Sequence, residues 1–355
     1  MKNKFFKFFA GIFLLVVTII AGLMVYNVVQ TSKYKNPVED ACLNDRELAA
    51  AEFVYHLRQQ AGEQIWPGFD TTGIPLVLYN DQYEFILGLA KDTCLDAQDI
   101  IKDDHWYRKN AENPQAFAVK LGDTWAGSLG VQQQMNREMY NGIKSEMPSF
   151  IGRIFPFFLI SVSEEMHIAG IVHEMFHAYQ GICNEEKFLE ADRSHRFLKN
   201  YPYDNEAFIE SWNKEGFYLQ KALYAENQAE MEMFVDSFLM VRTNRRNSSG
   251  INQDIIHTEK QLEWLEGSAK YAESASYDIA AYLDPDQYSF KNKNPYWEME
   301  RKQQLGSLGE RGGDNRFYNS GAAMAFLLDQ LDPSWKSAAM KDEVYLEDLL
   351  AAVSR

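Results

Sequence analysis

The sequence predicts an α+β fold that is mostly helical, with a small mixed or antiparallel sheet packed on a zinc-binding helix, behind an N-terminal transmembrane helix. Three observations support this prediction. Residues 8–29 hold no charged side chain, and such a stretch is long enough to cross a bilayer as a helix. Short apolar runs with turn-forming residues occupy residues 71–162, as expected for strands. Longer segments with helical spacing of apolar residues follow.

The first 35 residues are expected to form a basic tail, an anchor and a linker. Three Lys lie before the apolar stretch, and Lys33 and Lys35 follow it. A cleaved signal peptide has a shorter apolar region, about 7–15 residues, followed by a small-x-small site. No convincing site follows here, so an uncleaved anchor is expected, with a cleaved signal peptide as the alternative. The Lys bias places the N-terminus in the cytoplasm and residues 36–355, as one domain, outside it.

The composition argues against a nucleic acid as the partner. The chain has 355 residues and a net charge of −16, and residues 36–355 carry 30 basic and 51 acidic side chains. Such an excess of acid argues against nucleic-acid binding, which needs a basic surface. The three cysteines, Cys42, Cys94 and Cys183, are too few for a disulfide scaffold. One bridge, for instance between Cys42 and Cys94, fits an exported domain.

The first half of the domain is predicted to contain one helix and several strands. Apolar spacing predicts a helix over residues 40–65, and two apolar runs around a polar turn predict a hairpin over residues 71–89. Residues 115–135 are expected to form another strand. The run FPFFLISV at residues 155–162 is expected to be a buried strand that leads into the next helix.

The second half is predicted to be mainly helical. Residues 182–205 are polar and contain Pro, so an irregular segment is expected there. Residues 206–246 and 254–282 are predicted to form long helices. A loop rich in Gly, Asn and Arg, residues 305–316, precedes a last apolar helix with the sequence GAAMAFLLDQL.

The motif His173-Glu174-Met175-Phe176-His177 has the form H-E-x-x-H. Residues i and i+4 lie on one face of a helix about one turn apart, so both imidazoles can reach one Zn²⁺. Glu174 is then placed to take a proton from a water activated by the metal. Gly170 lies one turn before His173, on the side expected to face the metal, where a larger side chain would crowd the site.

A catalytic zinc site needs a third protein ligand. The best candidate is Glu266, in the segment LEWLEGSAKYAES, and Glu273 follows two turns later on the same helical face. Glu273 is interpreted either as a partner that orients a ligand histidine or as a surface charge. Two rival ligands are Glu226 and Cys183. If they do not bind the metal, Glu226 is expected to be a solvated acidic residue on a helix and Cys183 a buried free thiol.

The segments H-E-M-F-H and E-G-S-A-K-Y resemble the gluzincin zinc metallopeptidases of the peptidase MA-like superfamily, in particular the core of aminopeptidase-N-like enzymes. In that family the first Glu of E-G-x-A-x-Y completes the zinc site. The resemblance therefore implies that Glu266 is the ligand and that Gly267 and Ala269 allow close helix packing. The segment Y-N-S-G-A is similar to the family's Y-x-x-G-A, which implies that Tyr318 donates a hydrogen bond to the oxyanion.

The sequence also departs from the family's pattern. The spacer between His177 and Glu266 is much longer than in the aminopeptidases, and the G-x-M-E-N motif that grips a free N-terminus does not occur. An endopeptidase or a narrow-substrate peptidase is therefore expected as readily as an aminopeptidase. Cys183 occupies the third-ligand position of the metzincin pattern, but that pattern needs Gly where this sequence has Gln180.

The expected function is hydrolysis of peptide bonds by a membrane-anchored zinc metallopeptidase-like protein that acts on peptide or protein substrates. The alternative from another class is a catalytically inactive, zinc-containing module of the cell envelope with a binding or structural role. A third alternative is an anchored helical domain without metal. His56, His105, His195 and His257 have no metal spacing and are expected to be ordinary, and His167 is interpreted as a helix cap or a substrate-cleft residue. Arg316 is interpreted as a loop charge, with binding of a substrate carboxylate as the alternative. The proposed site consists of the ligands His173, His177 and Glu266, with Glu174, Tyr318 and Glu273.

Overall fold

The computed structural model describes residues 2–89, 101–102, 106–111, 114–157, 161–248, 250–283, 303–310 and 313–354. Over these residues the predicted α+β class is confirmed, because helices dominate and the strands form one small mixed sheet. Cys94 lies outside the described residues, so a bridge between Cys42 and Cys94 stays a prediction. Cys42 itself is exposed.

The sheet has six strands, in the order β3-β4-β2-β1-β6-β5. β1 and β6 run parallel, and the other neighbouring pairs are antiparallel. The predicted hairpin is confirmed as β1 and β2, joined by a turn in which the Asn80 side chain accepts hydrogen bonds from the backbone of Gln82 and Tyr83. The strands are β1 (Leu76–Tyr79), β2 (Tyr83–Leu87), β3 (Ile101–Lys102), β4 (Trp106–Asn110), β5 (Phe117–Leu121) and β6 (Thr124–Gly130).

In the described part of the chain, two α-helices precede the sheet, and the other α-helices follow it. Short 3₁₀ helices span Ser32–Tyr34, His195–Asn200 and Leu308–Glu310, and a π-helical turn spans Glu263–Gly267. The α-helices are α1 (Lys2–Thr31), α2 (Asp45–Ile65), α3 (Gln132–Glu146), α4 (Ser149–Ile154), α5 (Glu164–Cys183), α6 (Glu185–Ser194), α7 (Glu206–Leu223), α8 (Gln228–Ser248), α9 (Gln253–Leu262), α10 (Ser268–Leu283), α11 (Asn315–Leu331), α12 (Trp335–Ala339) and α13 (Leu346–Val353).

The N-terminal helix is long and apolar enough to cross a membrane. Within the segment Phe8–Tyr34, a stretch of 18 residues has a mean hydropathy of 2.8, and the large apolar side chains of the segment, such as Phe13, are exposed. Only the C-terminal end of this segment is buried against the rest of the chain. There, Tyr34 packs its ring on Tyr140 and Phe157 at centroid distances of 6.0 and 5.4 Å.

Helix α5, which carries the H-E-x-x-H motif, packs directly on β6. A Cβ atom added to Gly127 of β6 would lie 2.7 Å from the backbone nitrogen of Met175, so only glycine permits this close approach. Gly170 also faces the sheet, because a Cβ there would lie 3.2 Å from Leu129. The prediction that Gly170 also faces the metal stays a prediction.

An aromatic cluster connects α2, α5, α10 and α12. The ring of Trp66, which ends α2, lies edge-on to Phe176 at 5.0 Å and to Trp335 at 4.9 Å. Tyr271 of α10 contacts Trp335 at 5.8 Å. Edge-to-face pairs of buried rings add specific geometry to apolar burial. The cluster therefore fixes α10 relative to the motif helix α5.

Two strand predictions need correction. Residues 115–135 form two strands rather than one, because Gly122 takes a positive φ of 59° and turns the chain between β5 and β6. The strand predicted over residues 155–162 does not form in residues 155–157 or 161–162. Residues 158–160 of that run lie outside the described residues.

The helices predicted over residues 40–65, 254–282 and 321–331 and at the H-E-x-x-H motif are confirmed, whereas two other predictions are wrong. Helix α2 forms within residues 40–65, with Asn44 and Glu47 in a capping box, and residues 254–282 are helical through α9, the π-helical turn and α10. Residues 182–205 are not irregular, since they contain α6 and a 3₁₀ helix. The helix expected over residues 206–246 is divided into α7 and α8.

Candidate metal centre

The three predicted ligands meet between α5 and the π-helical turn. The Nε2 atoms of His173 and His177 are 3.1 Å apart, and Oε2 of Glu266 lies 3.6 and 3.2 Å from them, respectively. Tetrahedral zinc with bonds of about 2.0–2.2 Å needs ligand atoms about 3.3–3.6 Å apart. The triangle therefore has the size of a zinc site. All three side chains are buried.

The hydrogen bonding at this point fits a cation. Oε2 of Glu266 is shielded from solvent and has no hydrogen-bond partner among the described residues, so the 3.2 Å approach of His177 lacks hydrogen-bond geometry. Buried polar atoms that converge without a partner are unfavourable. A divalent cation would satisfy all three, and two imidazole nitrogens with a carboxylate oxygen form a typical zinc ligand set.

The group has three candidate ligands. In the described part of the chain, no fourth His, Cys, Asp or Glu joins it. The rival Glu226 is exposed just before α8, and the rival Cys183 is exposed at the end of α5; neither belongs to the group. Three protein ligands leave one tetrahedral position open, which is the arrangement of catalytic rather than structural zinc sites.

Hydrogen bonds turn the two histidines towards the same point. Nδ1 of His173 lies 3.2 Å from Oε2 of Glu273, whose other oxygen accepts a hydrogen bond from Lys270 at 2.7 Å. Nδ1 of His177 lies 2.9 Å from Oε1 of Gln180. Since both acceptors are oxygens, each ring donates from Nδ1 and keeps the lone pair on Nε2 for a metal.

The π-helical turn brings Glu266 to the histidines. π-helical turns are rare and occur frequently at functional sites. Gly267, at the end of this turn, packs on α11: a Cβ on Gly267 would lie 2.4 Å from Cα of Gly321. The close helix packing expected at Gly267 is thus present, and it holds the helix that carries Tyr318 against the turn.

Two further side chains lie beside the three candidate ligands: Tyr318, a neutral hydrogen-bond donor, and Glu174, a candidate proton acceptor. The Tyr318 ring stacks on His173, with centroids 5.7 Å apart and planes 6° from parallel. Burial and the nearby Glu266 carboxylate raise the pKa of Tyr318 far above its usual range, so the hydroxyl stays protonated. Burial also raises the pKa of Glu174. Its Oε2 is shielded and without a hydrogen-bond partner within the described ranges.

His195 lies beside the site, although its spacing in the sequence gives no signal. Its Nε2 is 3.8 Å from Oε1 of Glu266 and 3.4 Å from Asp314, and its Nδ1 is 2.9 Å from the carbonyl oxygen of Asp192. Burial opposes protonation, but the hydrogen bonds to Asp314 and Asp192 and the nearby carboxylates together outweigh it and raise the pKa of His195 to about 9. His195 is therefore a neighbour of the candidate ligand Glu266 and not a member of the ligand group. Arg316 is not a loop charge, since it lies buried in α11.

No protein-family model, no curated protein and no solved structure matches the chain. The resemblance to gluzincins therefore rests on three short sequence motifs. The arrangement of ligands, acceptor and donor described above is independent of that resemblance, because it follows from the packing of α5, the π-helical turn and α11.

Proposed function

We propose that the chain is a zinc-dependent, metallopeptidase-like hydrolase that its N-terminal helix holds at a membrane. The triangle of donor atoms from His173, His177 and Glu266 carries this proposal, together with the lack of a fourth ligand in the described part of the chain. Zinc sites closed by four protein ligands are structural, whereas three ligands leave a position for chemistry.

Each residue near the ligands has a role that matches its surroundings. His173, His177 and Glu266 would hold Zn²⁺, which when bound acts as a Lewis acid and lowers the pKa of water towards about 7. Glu174 would take the proton of the attacking water and pass it to the leaving amine. Tyr318 would donate a hydrogen bond to the substrate's carbonyl oxygen as negative charge develops there.

The position of β5 supports a peptide as the substrate class. β5 ends the sheet order and pairs with β6 alone among the described strands. Phe117, at the start of β5, contacts the ring of His177 at a centroid distance of 4.7 Å. An extended peptide can add to a strand edge through main-chain hydrogen bonds. A peptide held along β5 would therefore pass beside the three ligands.

The arrangement across the membrane follows from the lysines. More Lys precede the apolar segment than follow it, which favours a cytoplasmic N-terminus. The hydrolase domain would then act outside the cytoplasm. Attachment of a reporter that fluoresces only in the cytoplasm, at either end of the chain, tests this orientation: we expect a signal from the N-terminal fusion alone.

Metal content tests the proposed site. In the detergent-solubilised full chain we expect about one zinc ion per molecule, lost in Glu266→Ala and retained in the control Glu226→Ala, which changes an exposed acid. Retention of zinc by Glu266→Ala would contradict the assigned ligand. A wild-type chain that binds zinc but cleaves no member of a peptide library would support the inactive zinc-containing module instead.

A further inference from the structure

A buried ionic cluster lies behind the π-helical turn, and the proposed reaction does not use it. Three arginines of α8 meet glutamates from α7, α9, the turn and α13, through contacts of 2.5–3.0 Å. Burying charges is costly even when they are paired, so such a cluster is weak evidence for stability. Its members are Arg242, Arg245, Arg246, Glu215, Glu259, Glu263 and Glu347.

Glu263 connects this cluster to both halves of the candidate site. Its carboxylate accepts hydrogen bonds from the Arg242 guanidinium at 2.6 and 2.8 Å, and Oε1 also accepts one from the Ser320 hydroxyl at 2.5 Å. Glu263 begins the turn that carries Glu266. Ser320 lies in α11, two residues after Tyr318. The turn that carries the third candidate ligand is therefore hydrogen-bonded, through its first residue, to the helix that carries Tyr318.

Backbone packing brings the two segments close together. A Cβ on Gly321 would lie 2.3 Å from the carbonyl oxygen of Glu263, and a Cβ on Gly267 would lie 2.4 Å from Cα of Gly321. The turn and α11 are thus in direct backbone contact. At such a contact, the bond between Glu263 and Ser320 fixes the position of one segment along the other.

We infer that Glu263 is a positioning residue that sets Glu266 and Tyr318 in one arrangement around the metal. The inference rests on the proposed function. Arg242 keeps Glu263 in place, since it is itself held by Glu215 at 2.9 Å and Glu347 at 3.0 Å. Misplacement of a reacting group by about 1 Å can cost about 100-fold in rate, which explains why a costly buried cluster stands behind the turn.

Zinc affinity tests the effect on Glu266 without any activity assay. Glu263→Gln keeps the shape of the side chain and removes its charge. We expect the zinc dissociation constant of the full chain, measured by competition with a chelator, to rise about 10-fold or more, as for other residues that support metal ligands. The control Ser276→Ala removes a buried hydroxyl that has no hydrogen-bond partner among the described residues, and should leave it unchanged.

A double-mutant cycle tests the effect on Tyr318. If Ser320 acts through Tyr318, Ser320→Ala lowers kcat for peptide cleavage in the wild-type background and causes little further loss in Tyr318→Phe. KM should change little in both. If the two substitutions lower kcat by independent factors, so that the double variant loses the product of both, the inference is overturned. A purely structural role of Ser320 would not depend on Tyr318.

The two proposals fail in different ways. A wild-type chain without zinc would overturn both of them. Zinc bound with equal affinity by wild type and Glu263→Gln would overturn the positioning role alone. If Glu263→Gln does not fold, Ser320→Ala carries the test through the visible absorption of the Co²⁺-loaded chain. An absorption spectrum that differs from those of wild type and Ser276→Ala is expected, and an identical one would contradict the inference.

Discussion

Oε1 of Gln180 lies 2.9 Å from Nδ1 of His177, while the amide nitrogen of the same side chain donates to the carbonyl oxygens of Trp264 and Leu265 at 3.1 Å each. Gln180 therefore orients a candidate ligand on α5 and binds the turn just before Glu266. The Gly of the metzincin pattern at this position could do neither, because it has no side chain.

Gln180→Ala should weaken zinc binding. The His177 ring would lose the acceptor that fixes its orientation, and the loss of such a partner typically costs about 10–100-fold in metal affinity. Chelator competition measures the change. The exposed Gln228→Ala serves as the control and should bind zinc like wild type. Equal affinities in Gln180→Ala and wild type would show that the contact does not support the ligand.

Glu174→Gln should separate metal binding from catalysis. Gln keeps the size of the side chain but cannot accept the proton of the attacking water, so we expect full zinc content and a loss of about 10²–10⁴-fold in kcat for peptide cleavage. The exposed Glu186→Gln provides a matched control. Unchanged hydrolysis in Glu174→Gln would exclude Glu174 as the base.

Tyr318→Phe should lower kcat with little effect on KM or zinc content. The variant keeps the ring that stacks on His173 and removes only the hydroxyl donor. Loss of one donor to a developing oxyanion costs about 10²–10³-fold in kcat. Steady-state kinetics check this, beside Tyr282→Phe, whose side chain is exposed. A kcat equal to that of wild type would remove Tyr318 from the mechanism.

His167 should make the fold sensitive to acid, independently of any metal. Its Nε2 lies 2.9 Å from the carbonyl oxygen of Gly130, and burial lowers the pKa of His167 to about 4. Below pH 6.5 the unfolded chain takes up a proton that the folded chain does not. The stability is therefore complete above about pH 6.5 and falls as the pH drops towards 4, by about 3 kcal/mol in total.

Denaturant unfolding across this pH range checks the contribution of His167. We expect the free energy of unfolding of wild type to fall more steeply between pH 6.5 and 4 than that of His167→Gln, which has no proton to take up. The exposed His56→Gln should keep the wild-type slope. The same slope in His167→Gln and wild type would mean that His167 titrates normally in the folded chain.

Local sequence patterns were sufficient for features that depend on neighbouring residues. The four-residue spacing of His173 and His177 placed both imidazoles on one face of α5, because helix geometry alone ensures this. The turn residues predicted the hairpin of β1 and β2 in the same way. Glu266 came from the resemblance of its segment to a known motif, since no local period connects it to the histidines.

Tertiary structure decided which distant groups join the ligands. It brought Glu266 to the histidines and left Glu226 at the surface, and it placed His195, whose spacing carries no signal, beside Glu266 without making it a member of the ligand group. Gln180 and Glu263 gained their contacts in the same way. These distances depend on a π-helical turn and on backbone contacts at glycines, which arise only when whole helices pack. Sequence thus determined the chemistry of the groups, and packing determined the distances between them.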